Sequence, residues 1–318
     1  MQLRTIFISA IAACFLALGA CGDDDESGGD GPKVVATTGI VADIATAVAG
    51  PGVDVEQVIP EGSSPHDFEL SAQDRQLLEE ADLLVASGAD LEAGIPLDDV
   101  DAPQWALADQ VGELLPFEAA GAHEHADHEH ATEEEHSEAE EHEHGSEDPH
   151  VWMDPTRVAA ALPSLANALS EADPADADGY RKRARAYAKQ LGELDSELER
   201  TLAPIPDANR ELVTSHDSLG YFADRYGFEV VATAFPASGP EAEASASLID
   251  EVEGAVQEHG VPAVFASEED DPETLRLIAD ETDVAIEDGL LVESPGDAGS
   301  YEEMLRRDAE LIAAALDQ

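Results

Sequence analysis

The chain has 318 residues, with 15 Lys plus Arg against 72 Asp plus Glu and a formal net charge of -57. A surface this acidic repels a phosphate backbone and concentrates cations, which excludes nucleic acid as a partner. Acidic residues run through almost every segment and lysine is confined to Lys33, Lys182 and Lys189, a whole-surface property expected of adaptation to a salty environment, where screening shortens the reach of self-repulsion.

At the N-terminus, Arg4 precedes an apolar run from Ile6 to Leu18, short for a bilayer span, and Leu18-Gly19-Ala20-Cys21 has the form of a bacterial lipobox. Residues 1–20 are therefore expected to be a lipoprotein signal peptide, with Cys21 carrying the lipid that holds the protein to the outer face of the cell membrane. Residues 21–32, mostly Gly, Asp and Ser, read as a disordered tether. Cys14 leaves with the signal, so the folded part has no thiol for a disulfide, a metal or a nucleophile.

From Lys33 onward short apolar runs alternate with helical periods. Lys33 to Thr38 predicts a strand, Ile40 to Val48 a helix closed by Gly50-Pro51-Gly52, Val53 to Ile59 a strand, Gln73 to Glu80 a helix, and Ala81 to Gly88 a buried strand. Asp99 to Pro116 reads as loop with a short strand. Residues 121–148 break the pattern. His123, His125, His128, His130, His136, His142 and His144 are interleaved with acidic residues and almost nothing apolar, a composition that builds no core face and suits loose chelation of divalent metal, zinc above all.

The longest helical signal follows, from Pro174 to Leu202, with Tyr180, Ala184, Tyr187, Leu191, Leu194, Leu198 and Leu202 forming one stripe and Pro204 and Pro206 stopping it. About 40 Å of helix results at 1.5 Å per residue. Beyond it the alternation resumes. Strands are predicted at Glu211–Thr214, Glu229–Ala234, Ala263–Ala266 and Val284–Ile286, and helices at Leu219–Tyr226, Ser247–His259, Glu273–Thr282 and Tyr301–Leu316. The fold class is α/β: two alternating lobes, 33–173 and 204–318, with mainly parallel sheets joined by a linking helix at 174–203, and ligand sites at the carboxyl ends of strands.

Three histidines occupy distinct motifs: His66 in G-S-S-P-H-D-F-E, His150 in D-P-H-V-W-M-D-P and His216 in T-S-H-D-S-L-G-Y. Imidazoles gathered from distant loops, each beside a carboxylate able to orient the ring, suit a nitrogen-rich site for zinc. Asp67 and Asp217 are read as orienting or lining groups, and His259 as a surface residue.

From Val34 to Leu316 these segments, their order and their spacing resemble the metal-binding class of ABC-transporter solute-binding proteins, with the D-P-H-x-W-x-D-P block as the most specific part. The resemblance implies an interlobe cleft holding Zn²⁺, with Mn²⁺ as the alternative, and a stiff hinge built on the long helix. It also implies a membrane permease as partner, no catalytic residue, and His-rich loops in zinc-handling members. By the same resemblance the fourth ligand is a late carboxylate, matched here by Glu293 where aspartate is usual, with Asp297 and Asp288 as neighbouring alternatives. Manganese members usually offer two histidines and two carboxylates, so a third imidazole favours zinc. A zinc buffer working through the His-rich segment and a zinc hydrolase are the other readings; the hydrolase needs an open metal position, and H-E-x-x-H is absent from the sequence. A monomer is expected.

Overall fold

The computed structural model describes residues 31–117, 147–234, 246–267 and 284–317. Cys21, the seven histidines between His123 and His144, and the helix expected at Glu273–Thr282 lie outside the described residues.

The first lobe begins with β1 (Val34–Ala36), α1 (Gly39–Ala49), β2 (Val55–Gln57), α2 (Ala72–Glu79), β3 (Leu83–Ala86) and β4 (Gln104–Ala106). Its strands pair in the order β2-β1-β3-β4, every pair parallel. Then come α3 (Pro155–Ala172) and the long α4 (Ala177–Leu202). The second lobe has β5 (Glu211–Thr214), α5 (Gly220–Tyr226), β6 (Glu229–Thr233), α6 (Ala246–His259), β7 (Ala263–Ser267), β8 (Ala285–Leu290) and α7 (Tyr301–Leu316). Its strand order, β6-β5-β7-β8, is again fully parallel.

Side-chain alternation explains why both faces of each sheet are covered. Val34, Ala36, Leu83 and Val85 face the central core with Leu212 and Phe265, while Val35 and Leu84 face an outer cluster with Val58, Ile59 and Leu78. Val213 and Val264 likewise turn outward against Val252 and Val256.

The central core is continuous from Val34 to Leu316. Helix α4 makes it so: its stripe from Tyr180 to Leu202 is buried, and it packs against α3, α1 and α7. The helix starts at Ala177, three residues later than the sequence predicts, because Asp173 Oδ1 accepts the Ala175 N–H at 3.0 Å and closes Pro174–Asp176 into a separate tight turn. No element is expected from sequence at 155–172, although Val158, Leu162, Leu165 and Leu169 recur at four and three spacing and lie buried along one face of α3, with Pro163 inside it. The ring sits on the exposed side, so the helix continues.

Leu191 is fully buried in α4. Leu191→Ala is expected to cost about 2–5 kcal/mol of unfolding free energy, measured by urea titration, whereas Lys189→Ala on the solvent side should leave the midpoint unchanged.

Candidate functional site

His66 is delivered by the loop after β2. Val58 N–H donates to Ala36 O and Ile59 N–H to Thr37 O, both at 2.9 Å, so the backbone stays aligned with β1 past the strand end. Phe68 and Leu70 then pack on the outer cluster, and Ser71 and Asp74 form a reciprocal cap at the start of α2. Gly94 supports this loop from below, because a Cβ there would lie 2.1 Å from the Phe68 carbonyl oxygen.

His150 opens a tight turn that runs into Asp154, whose Oδ1 accepts from Thr156 N–H at 2.8 Å and caps α3. Asp148 governs the ring. Its Oδ1 lies 2.7 Å from His150 Nδ1 and accepts the His150 backbone N–H at 2.9 Å. Asp148 is itself fixed: its N–H donates to Leu115 O at 2.8 Å, and Tyr221 Oη donates to its carbonyl at 3.1 Å. Gly220 leaves room for it, since a Cβ there would stand 2.7 Å from Asp148 Oδ2. The expectation that 121–148 contributes nothing to the folded core fails at its end: Glu147 bridges to Pro116, and Asp148 is 1% exposed within the folded body. Hydrogen bonds to the chain before and after it draw it out of the acidic tract.

His216 follows β5 in a turn closed by Ser218 N–H to His216 O at 3.0 Å. Glu293 follows β8 and is buried at 6% exposure. Its backbone is held by the Leu291 N–H, which donates to Asp308 Oδ1 at 2.9 Å, and by Val292 O, which accepts the Trp152 indole N–H at 2.8 Å.

These four side chains converge. The ring centroids are 5.5 Å apart for His66 and His150, 5.3 Å for His66 and His216, and 5.2 Å for His150 and His216. Glu293 Oε1 lies 3.4 Å from His66 Nε2 and 3.7 Å from His216 Nε2. One donor atom from each residue falls within 4.8 Å of all the others. A tetrahedral ion with bonds near 2.0–2.1 Å sets its donors about 3.4 Å apart, so the group is of the size that could hold one.

Burial prepares the nitrogens. His150, fully enclosed, is pushed down to about 3, and His216 is held well below the usual imidazole range by burial first and by His150 and His66 second. Both rings are therefore neutral. Their Nε2 atoms have no hydrogen-bond partner among the described residues. Burial also raises Asp148 to about 7 against the opposing hydrogen bond from the His150 N–H; a neutral ring donating Nδ1–H to this carboxyl leaves Nε2 as the acceptor facing the cluster.

Of the other acidic candidates, Asp288 is exposed on β8 opposite Ala266, and Asp297 is exposed and paired with Arg307 of α7. Asp67 is exposed, and Asp217 is buried but outside the four-residue group. His259 sits on the surface with Nδ1 3.2 Å from Glu211 Oε2. At His150 the ring is oriented by Asp148, and the signal for it was the D-P-H spacing itself.

Residues 34–315 match the family model described as the periplasmic component A of the zinc-uptake complex. The chain is 28% identical to the zinc-binding protein TroA of Treponema pallidum, covering 96% of this chain and 98% of that protein. It is 27% identical to the manganese ABC transporter substrate-binding lipoprotein PsaA of Streptococcus mitis, covering 99% of each. The solved structure of the periplasmic zinc-binding protein TroA from Treponema pallidum superposes with a TM-score of 0.75 at 26% identity, over 91% of this chain and all of that one. With two parallel-sheet lobes joined through a long helix and a family match that runs almost from end to end, the chain belongs to the metal-binding solute-binding proteins of ABC transporters, a family of carriers and not of enzymes.

Proposed function

We propose that this protein captures Zn²⁺ outside the cytoplasm and delivers it to an ABC permease, with His66, His150, His216 and Glu293 as the ligands. The observation that carries the reading is the composition of the four-residue group, three imidazoles and one carboxylate within 4.8 Å of one another. Zinc accepts four such donors in a closed tetrahedron and has no need of further oxygen ligands. Manganese prefers more oxygen and higher coordination, and it is the second reading because relatives are named for either metal: TroA for zinc, PsaA and the MntA lipoprotein of Halalkalibacterium halodurans for manganese. In both cases the ion is cargo and is released intact.

The two lobes, 33–173 and 204–318, are proposed to act as a monomer about the linking segment 174–203. An ion bound between loops of both lobes favours the arrangement in which they are drawn together, and it raises stability by mass action. Lipid attachment at Cys21 is proposed from the Leu18-Gly19-Ala20-Cys21 motif and is supported by relatives that are named lipoproteins. Among the described residues no helix is long and apolar enough to cross a membrane. The histidines from His123 to His144 are proposed as weak auxiliary chelators that raise the local zinc concentration near the cleft.

The deciding measurement is direct competition on metal-free protein. One tight zinc equivalent should bind and resist about 100-fold excess manganese, and His150→Ala should weaken zinc binding at least about tenfold with circular dichroism unchanged. Manganese displacing zinc at equal concentration would reverse the metal assignment, and unchanged zinc affinity in the variant would remove His150 from the ligand set. Cys21→Ser should shift the protein from the membrane fraction to a soluble or unprocessed form in a fractionation and mass-spectrometry experiment; retention with intact processing would refute the anchor. Deleting 121–146, which spares Asp148, should reduce the calorimetric stoichiometry from several zinc ions to one while the tight-site affinity stays within about twofold, since sites without shared contacts behave independently.

A further inference from the structure

Trp152 stands between two of the proposed ligands without being one. It lies on the same tight turn as His150, closed by Met153 N–H to His150 O at 3.1 Å, and the two rings meet edge to face at 5.3 Å and 71°. On its other side the indole N–H donates 2.8 Å to the carbonyl of Val292, the residue directly before Glu293. Tyr301, at the start of α7, donates its hydroxyl to the Trp152 carbonyl at 2.5 Å, and Asp43 of α1 accepts the Tyr301 N–H at 2.9 Å. Trp152 is 1% exposed, so these bonds compete with no water.

An indole donor is seldom buried without a partner, and here its partner is 140 residues away in the chain. The bond therefore fixes the turn that carries His150 to the strand end that carries Glu293. We propose that Trp152 is a positioning residue. It sets the separation of the His150 nitrogen and the Glu293 carboxylate before metal arrives, so that an incoming ion meets half of its coordination sphere already spaced. This rests on His150 and Glu293 being ligands, as proposed above. Trp105, the other tryptophan of the chain, bonds instead to Ser164 Oγ at 2.9 Å and serves as an internal control.

A double-mutant cycle tests this with zinc alone as the probe. Trp152→Phe retains a ring against His150 and removes only the donor. Zinc affinity, read by competition with a chromophoric chelator, should fall about tenfold, and metal-free protein should show the same circular dichroism as the parent. In a Glu293→Gln background the same change should add less than about twofold, because a contact that acts through the carboxylate has nothing left to position. Full additivity, or parent-like affinity in Trp152→Phe, overturns the proposal. Unchanged affinity in Glu293→Gln alone would instead remove the ligand reading, so the two failures are distinct. If Trp152→Phe does not fold, the Trp105→Phe chain carries the test: zinc must change the emission of its single indole, and emission that ignores saturating zinc overturns the coupling.

Discussion

Everything at the candidate site depends on stripping water from imidazole rings and holding them neutral. A charged ring has no lone pair to give, and a neutral ring in solvent does not point anywhere in particular. Enclosing His150 removes the first difficulty by making protonation costly. The Asp148 carboxyl, 2.7 Å from Nδ1, removes the second. The carboxyl can stand there because the Leu115 carbonyl, the Tyr221 hydroxyl and the bare Cα of Gly220 shape its surroundings. Three segments of chain thus converge to fix one nitrogen.

That convergence needs a stiff frame, which the parallel sheets and the long helix supply. All four loops leave the carboxyl ends of strands or enter a helix directly, so each side chain starts from a backbone already committed to a sheet or a cap. Helix α4 adds continuity. Its apolar stripe joins α1 and α3 of one lobe to α7 of the other in a single core.

How much of this could be read from the chain follows from the range of the interactions. Strands such as Leu83–Ala86 and the stripe from Tyr180 to Leu202 are local periodicities; the stripe was legible residue by residue, and the strand was read in place but too long, from Ala81 to Gly88. His66, His150 and His216 were legible as motifs, and the structure brings their rings within 5.5 Å of one another. Glu293 came only through resemblance, because nothing in Leu291-Val-Glu-Ser-Pro marks that acid above Asp288 or Asp297; burial separates them. Helix α3 carries a stripe of the same kind, Val158, Leu162, Leu165 and Leu169, and it was missed although the periodicity was there to read. Asp148 was legible in the D-P-H spacing as a carboxylate beside the ring, but its burial was not. In sequence it ends an acidic run, and only hydrogen bonds to Leu115 and Tyr221 give it a different fate.

The contrast between Asp148 and the rest of the acidic surface bears on selectivity. A net charge of -57 attracts every divalent cation with equal indifference to its chemistry, and salt shortens that attraction to roughly 8–10 Å at ordinary ionic strength. Long-range charge can raise the number of encounters but cannot tell zinc from manganese or magnesium. Discrimination must come from donor type at short range, where water has been removed and nitrogen outnumbers oxygen. In a chain with 72 acidic residues and 11 histidines, a site assembled by chance would be rich in carboxylates. The one group of this kind among the described residues inverts that ratio, and a nitrogen-rich donor set is what favours zinc in the reading proposed above.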